Sequence, residues 1–233
     1  MYPLKIESVE FVRSAAGASD LPCDRLPEVA MVGRSNVGKS SLINSLVRTS
    51  VARTSAAPGK TRLINLYKVV TRPTGPFYLV DLPGYGYARK KDAKGEFDRL
   101  AAMYFARAAG ALGLSDTRPS RVPVGVLLLL DARHPGLDAD LETAAWLRAS
   151  GFDPLVVVTK LDKLSRSERA ASMGAFERCF GVATSARAAG LGVFGHAVVG
   201  VSATTGEGMD ALWKQVASWI ATETASSQPP SRP

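Results

Sequence analysis

The 233-residue chain has little of what marks secreted, metal-binding or membrane-spanning proteins. Its two cysteines, Cys23 and Cys179, lie far apart and form no CxxC or Cys/His cluster, which argues against a zinc site or a disulfide framework. We interpret both as small apolar residues. The apolar runs are short, and the N-terminal residues mix charged with apolar side chains, so neither a membrane span nor a secretion signal is expected. The sequence therefore predicts a cytoplasmic protein.

Positive charge, in contrast, is abundant and unevenly distributed. The net charge is +8, and the window from Arg48 to Arg107 holds twelve basic and four acidic residues, which accounts for the whole excess. Such a segment suits binding to a polyanion such as RNA. A solvated face that keeps the protein soluble explains the charge equally well.

Apolar runs alternate with helical patterns along the chain. This order predicts an α/β fold of three layers, with a mostly parallel sheet, one antiparallel strand and helices on both faces. The runs 63–70 and 77–84 are joined by a turn-rich segment and predict a hairpin. Buried strands of the parallel type are expected at 28–33, 124–132, 154–160 and 196–203. Helices are expected at 39–47, 92–110, 138–150, 165–180 and 207–221.

The ends of the chain differ from this regular pattern. Residues 1–26 are expected to form an extension with an edge strand, and residues 27–222 a single domain. Residues 223–233 contain three prolines and no periodicity, which predicts a disordered tail.

The most informative segment is GRSNVGKS, residues 33–40. It fills every fixed position of the phosphate-binding pattern GxxxxGK[ST] between a predicted strand and a predicted helix. Such a loop points backbone N–H groups at phosphates, and the following helix adds the positive end of its dipole. We expect Lys39 to reach the β- and γ-phosphates and the Ser40 hydroxyl to bind Mg²⁺.

Two further segments suit the γ-phosphate and the metal. DLPG ends a predicted strand, so Asp81 is a candidate magnesium ligand and Gly84 a candidate γ-phosphate sensor. Thr61, in the polar segment before it, offers a hydroxyl and a carbonyl to the metal and the phosphate, in a loop that would order around a triphosphate. The predicted metal ligands are thus Ser40, Thr61 and Asp81.

The segment TKLD, residues 159–162, predicts which base is bound. An ionised Asp162 offers two acceptors that match the adjacent N1–H and N2–H₂ donors of guanine, whereas adenine presents a different pattern. Lys160 can pack along the base plane, and Thr159 can support the loop. Ser202 and Ala203, after another predicted strand, bring backbone groups within reach of the guanine carbonyl. The nucleotide predicted by these motifs is GTP.

Five segments together resemble one family. GRSNVGKSSLIN, PGKTRLIN, DLPGYGYA, TKLDKL and VSATTGEG are similar to the EngB (YihA/YsxC) family of bacterial ribosome-assembly GTPases, in the TrmE-Era-EngA-EngB-septin-like P-loop superfamily, over about residues 5–220. The resemblance implies a single G domain, Mg²⁺, association with the large ribosomal subunit through rRNA or ribosomal proteins, and a link to cell division and septation. We expect a monomer.

The resemblance and the motifs define the expected site. The candidate catalytic residues are Asn36, Lys39, Thr61 and Gly84. The expected nucleotide-binding residues are Gly33, Arg34, Ser35, Asn36, Val37, Gly38, Lys39, Ser40, Ser41, Gly59, Lys60, Thr61, Arg62, Leu63, Asp81, Leu82, Pro83, Gly84, Thr159, Lys160, Leu161, Asp162, Val201, Ser202 and Ala203.

Two positions leave alternatives open. Tyr85 follows Gly84 where Ras-like proteins carry a glutamine that orients water, which predicts slow intrinsic hydrolysis, at or below roughly 10⁻³ s⁻¹. With Tyr87 it suits either stacking on RNA bases or packing beneath the loop. Asn36 resembles the asparagine with which related GTPases hold a potassium ion, and it also suits a tight loop for conformational reasons.

Three functions are compatible with these motifs. The leading hypothesis is a GTP-operated switch on the ribosome. A scaffold that holds GTP and scarcely hydrolyses it is the second. A phosphoryl-transferring kinase is the third, but it lacks a recognisable acceptor site and fits TKLD poorly.

Overall fold

A computed structural model describes residues 5–24, 26–52, 63–86, 91–108, 123–180 and 198–226. These residues form seven strands and five α-helices. The strands are β1 (Lys5–Ala15), β2 (Glu28–Gly33), β3 (Ile64–Arg72), β4 (Gly75–Asp81), β5 (Gly125–Asp131), β6 (Leu155–Thr159) and β7 (Val198–Gly200). The helices are α1 (Lys39–Val47), α2 (Lys91–Ala108), α3 (Asp138–Ala149), α4 (Arg166–Phe180) and α5 (Met209–Ser226).

The strands form one sheet in the order β1-β3-β4-β2-β5-β6-β7. From β4 to β7 all neighbours are parallel. Strand β3 is antiparallel to both β4 and β1, so it alone among the described strands runs against the others. The predicted fold class, including its one antiparallel strand, is confirmed.

Each buried strand contributes to two cores because successive side chains point to opposite faces of the sheet. In β5, Leu128 and Leu130 face the core that contains residues of α2, α3 and α4. Leu127 and Leu129 face the core that contains residues of α1 and α5. A strand buried on both faces has no polar position, which explains the unbroken apolar run in β5.

The outer part of the sheet follows the expected hairpin and edge strand. Strands β3 and β4 pair from Asn65–Asp81 to Thr71–Gly75, and β1 adds to the other side of β3. Nearly all of β1 is at least partly exposed, and the Phe11 ring packs edge-on against Tyr67 with centroids 5.7 Å apart.

Helix α5 extends beyond the helix that the sequence predicts. It continues through residues 223–226, where the sequence predicts a disordered tail, so that boundary is corrected. The Thr222 and Thr224 hydroxyls donate to the carbonyls of Ser218 and Ile220 four residues earlier, which bonds these polar residues within the helix. Residues 227–233 lie outside the described residues.

Cys23 and Cys179 are free and lie at the surface, so they are not packed in the core as small apolar residues.

None of the helices that the structure describes combines the length and apolar character needed to cross a bilayer.

Candidate nucleotide-binding site

The predicted site residues lie where parallel strands end. Strands β4, β2, β5, β6 and β7 are neighbours with the same direction, so their carboxyl ends meet along one edge of the sheet. Ligands of open α/β sheets bind at this edge. The GRSNVGKS, DLPG, TKLD and VSATTGEG segments follow four of these strands.

The phosphate loop, residues 33–40, connects β2 directly to α1. Gly33 leaves no room for a side chain, because a Cβ there would lie 2.8 Å from the Leu129 carbonyl oxygen. Gly38 has φ of +111°, a conformation that favours glycine, and is the N-cap of α1. The loop therefore presents the start of a helix to whatever it holds, as the sequence predicted.

Lys39 is buried within this loop. Its Nζ donates to the Gly33 carbonyl at 3.0 Å and lies 3.4 Å from that of Arg34. Burial lowers the pKa of Lys39, and the nearby Asp81 carboxylate opposes that shift. A desolvated cation beside backbone dipoles gains further stabilisation from an added anion.

Asp81 is the last residue of β4 and is 1% exposed. Its Oδ1 is buried and has no hydrogen-bond partner among the described residues. Burial raises the pKa of Asp81 from 3.8 to about 6, although Lys39 and a hydrogen bond from Asn65 act in the opposite direction. An unsatisfied buried carboxylate oxygen fits the hard oxygen ligation that Mg²⁺ prefers.

The switch segment, residues 81–86, lies directly on the phosphate loop. The Ser35 N–H donates to the Tyr85 carbonyl at 3.0 Å. A Cβ at Gly84 would lie 2.7 Å from the Ser35 nitrogen, so only glycine allows this approach. The two predicted segments are thus held together through their backbones.

Tyr85 packs inward rather than outward. It is 7% exposed, its ring centroid lies 5.4 Å from that of Phe97, and its hydroxyl donates to Asp140 Oδ1 at 2.8 Å. This position favours packing over base stacking for Tyr85. Tyr87 lies outside the described residues.

The base loop, residues 159–162, also contacts the phosphate loop. The buried Thr159 hydroxyl lies 2.7 Å from the Val37 carbonyl oxygen and 3.0 Å from that of Leu130. Lys160 has a left-handed φ of 62°, and its Nζ donates to the Asn36 carbonyl at 2.6 Å. The supporting position that the sequence suggested for Thr159 is therefore present.

Asn36 itself has a left-handed backbone, with φ of 62°. Asparagine tolerates this conformation better than most residues. The geometry therefore supplies the conformational reason for Asn36.

Asp162 is oriented by a neighbouring loop. The Ser202 hydroxyl donates to Asp162 Oδ1 at 2.7 Å, and Lys163 Nζ lies 3.3 Å from Oδ2. The hydrogen bond from Ser202 is the main reason why the pKa of Asp162 lies below its usual range. The Thr205 N–H donates in turn to the Ser202 hydroxyl at 3.2 Å. Asp162 is thus fixed and ionised at neutral pH, as two acceptors for a base require.

Sequence reasoning missed Asp131. It ends β5, and its Oδ2 lies 2.9 Å from Lys160 Nζ and 2.7 Å from Arg133 Nη2. Burial alone would raise the pKa of Asp131, but hydrogen bonds from Arg133 and Lys160 outweigh it and hold that pKa well below its usual range. An acid directly after a buried strand was the available signal, the same one that identified Asp81.

Asn65 and Asp140 were also missed. Asn65 faces Asp81 across the β3–β4 pair, and the Ser14 hydroxyl donates to its Oδ1 at 2.7 Å. Asp140 lies in α3. Their roles depend on strand register and on packing between distant segments, for which a single sequence carries no signal. Of the predicted residues, Gly59, Lys60, Thr61 and Arg62 lie outside the described residues.

Comparison with known proteins shows the family to which this chain belongs. A family model described as a 50S ribosome-binding GTPase matches residues 28–160. The probable GTP-binding protein EngB of Anaeromyxobacter sp. (strain Fw109-5) is 41% identical over 93% of each chain. That of Pelotomaculum thermopropionicum is 38% identical over 93% of this chain and 98% of its own.

Solved structures share the fold. A crystal structure of a probable GTP-binding protein EngB has a TM-score of 0.58 at 22% identity and covers 84% of this chain and 99% of that one. A point variant of Aquifex aeolicus Era bound to GDP and AlF₄⁻ has a TM-score of 0.63 at 21% identity, over 83% of this chain and 56% of that one. Fold and site together define a GTPase of the P-loop class. The chain belongs to the EngB family of GTP-binding proteins.

The raised pKa of Asp81 predicts a pH-dependent stability. Because ionisation is harder in the folded state, the folded protein binds the proton more tightly than the unfolded chain between pH 4 and 6. The contribution of Asp81 to the free energy of unfolding therefore falls as pH rises through this window. The fall is up to about 3 kcal/mol when the pKa is raised from 3.8 to about 6. Asp81→Asn cannot titrate, so in nucleotide-free, magnesium-free protein its stability relative to wild type should rise by about 1–3 kcal/mol between pH 4 and 7.

Urea unfolding at several pH values measures this difference. Asp98→Asn, at an exposed acid on α2, is the control and should follow the wild-type profile. Parallel profiles for wild type and Asp81→Asn would contradict the prediction.

Asp162 should decide between purines. In Asp162→Asn one acceptor becomes a donor, so guanine loses a hydrogen bond to a charged group, worth about 1.5–3 kcal/mol, and GDP affinity should fall roughly tenfold to a hundredfold. Xanthine carries a carbonyl where guanine carries the amine, so xanthosine diphosphate should regain affinity for this variant. Calorimetry with GDP, ADP and xanthosine diphosphate tests both statements, with Asp98→Asn as control. Tight ADP binding by wild type, or an unchanged preference in Asp162→Asn, would refute the assignment.

Proposed function

We propose that this GTPase is a nucleotide-operated switch in assembly of the large ribosomal subunit. One observation carries the proposal: the switch segment is hydrogen-bonded to the phosphate loop, with the Ser35 N–H on the Tyr85 carbonyl and Gly84 against the Ser35 backbone. A γ-phosphate on the phosphate loop would therefore meet the switch segment at Gly84. The position of that segment would then depend on whether GTP or GDP is bound.

The proposed nucleotide contacts follow from the geometry. The backbone of residues 33–40 and the α1 N-terminus would hold the phosphates, and Lys39 would exchange its bonds with the loop carbonyls for phosphate oxygens. Asp162 would accept from guanine. Val201, Ser202 and Ala203 would form the wall behind the base, as the contact between Ser202 and Asp162 supports.

Mg²⁺ belongs to this proposal because the donors fit it. Ser40, in the first turn of α1, and Asp81, with its unpartnered oxygen, would hold the ion, together with Thr61 from outside the described residues. The ion would neutralise phosphate charge during hydrolysis. Among the described residues there is no cluster of three or more His, Cys, Asp or Glu that suggests a different metal site.

The ribosomal partner is proposed from the family model and from charge. That model is described as a 50S ribosome-binding GTPase. Within the basic window, two described arginines already have acidic partners, since Arg107 pairs with Glu28 at 3.5 Å and Arg72 pairs with Glu7. Arg48 and Arg99 are exposed. Both side chains are therefore available for contact with rRNA. The link to division and septation remains a prediction from the family resemblance. The cytoplasmic location and the monomeric state also remain predictions.

Binding to the large subunit should depend on the nucleotide. With a non-hydrolysable GTP analogue, the protein should pellet with large subunits at least about fivefold more tightly than with GDP, the range of typical coupling between two sites. Affinity should fall steeply with salt if rRNA phosphates are the contact. Asp162→Asn, whose nucleotide affinity should be roughly tenfold to a hundredfold weaker, is the matched variant and should show no difference between the nucleotides at concentrations that saturate only the wild type. Equal affinity of wild type in both states would favour a GTP-holding scaffold instead.

Intrinsic hydrolysis should be slow. The Tyr85 side chain is buried against Phe97 and bonded to Asp140, so it cannot orient an attacking water as a glutamine would. Phosphate release by the purified protein should proceed at or below roughly 10⁻³ s⁻¹. The same assay in potassium and in sodium, with wild type and Asn36→Ala, tests the potassium alternative: a rate increase that needs both potassium and Asn36 would support an ion beside the phosphates. Fast turnover without ribosomes would contradict the main expectation.

A further inference from the structure

Asp140 is a buried acid that the nucleotide contacts described above do not use. It lies in the first turn of α3 and is completely buried. A buried carboxylate is costly unless it is hydrogen-bonded or ion-paired, so its partners indicate what holds it there. Both partners come from nucleotide-binding segments distant in sequence.

The first partner is Tyr85, whose hydroxyl donates to Asp140 Oδ1 at 2.8 Å. The second is Arg34, the residue after Gly33 in the phosphate loop, whose Nε forms an ion pair with the same oxygen at 3.3 Å without the geometry of a hydrogen bond. Oδ2 has no partner in the part of the chain that the structure describes. One oxygen of Asp140 thus joins both segments to α3.

These contacts are made where the two segments meet. Arg34 and Tyr85 form an isolated parallel bridge, next to the hydrogen bond from the Ser35 N–H to the Tyr85 carbonyl. The Arg34 side chain also lies along the switch segment, because a Cβ at Gly86 would be 3.5 Å from Arg34 Cδ. The backbone contacts join the two segments to each other, and the Asp140 side chain joins both segments to α3.

The electrostatics agree with this arrangement. Burial raises the pKa of Asp140, while the Tyr85 hydrogen bond and the Arg34 charge lower it. Both partners therefore favour the ionised carboxylate. Loss of either partner would leave a buried acid less compensated and would loosen its contact with the remaining partner.

We propose that Asp140 is a positioning residue that holds Gly84 at the phosphate loop through Tyr85 and Arg34, and that it thereby raises the affinity for GTP relative to that for GDP. This inference rests on the proposed sensing of the γ-phosphate by Gly84. GDP lacks that phosphate, so its affinity would not depend on the position of Gly84. Binding of GTP would have to order a loosened switch segment, which would lower the affinity for GTP. The same contacts make α3 part of the unit that responds to the nucleotide.

Two variants test the role of Asp140. Tyr85→Phe removes one hydroxyl and keeps the ring that packs on Phe97, and Asp140→Asn removes the charge. Asp138→Asn, at an exposed acid two residues earlier in α3, is the control. Dissociation constants are measured for GDP and for a non-hydrolysable GTP analogue, and their ratio is the readout.

Both test variants should shift this ratio toward GDP by at least about fivefold, while GDP affinity changes less than about twofold. Asp138→Asn should keep the wild-type ratio. A merely structural role would lower Tm and weaken both nucleotides equally, and an unchanged ratio would overturn the inference. If Asp140→Asn does not fold, Tyr85→Phe decides alone. Large-subunit binding by wild type that is equal with both nucleotides would remove the switch itself, whereas nucleotide-dependent binding with an affinity ratio that both variants leave unchanged would remove only the role of Asp140.

Discussion

The parallel alignment of five neighbouring strands is the constraint on which the site depends. Because β4, β2, β5, β6 and β7 run in the same direction, every loop at their carboxyl ends faces the same solvent edge. Segments more than a hundred residues apart, such as the phosphate loop and the base loop, then meet without a long connection. The Thr159 hydroxyl, 2.7 Å from the Val37 carbonyl oxygen, shows how close they come.

Charge is distributed along this edge in a way that suits an anionic ligand. Lys39 and Asp81 are both buried, and burial lowers the pKa of Lys39 and raises that of Asp81, so that it favours the neutral form of each. A phosphate beside Lys39 and a cation beside Asp81 would each offset part of that desolvation cost. Asp131 and Asp162 differ from Asp81, because hydrogen bonds from neighbouring side chains keep both of them ionised. The three acids thus differ in the direction of their pKa shifts, although each lies at or just after the end of a strand.

Sequence reasoning succeeded where the pattern is local. The phosphate loop is one continuous segment whose glycines are required by backbone geometry at Gly33 and Gly38, so its structure can be predicted from eight residues. The hairpin was predicted in the same way, from two neighbouring apolar runs joined by a turn-rich segment. The helical continuation of α5 through residues 223–226 was missed because polar residues there bond within the helix, which their composition does not reveal.

Residues whose role depends on register or on a distant contact could not be found in this way. Asn65 matters because pairing of β3 with β4 places it opposite Asp81. Asp140 matters because α3 packs where two loops meet, and nothing near it in the chain indicates a partner 106 residues earlier at Arg34. Asp131 is the exception, since its strand-end position resembled that of Asp81 and could have been recognised.

Lys160 has a consequence for compounds that would occupy this site. Its ammonium group bonds to both Asp131 and the Asn36 carbonyl, so this side chain of the base loop also contacts the phosphate loop. The affinities of a guanine fragment and of a diphosphate fragment are therefore not independent quantities that add to that of the whole nucleotide. The affinity of an inhibitor that binds only the base loop or only the phosphate loop therefore depends on the conformation of the other loop.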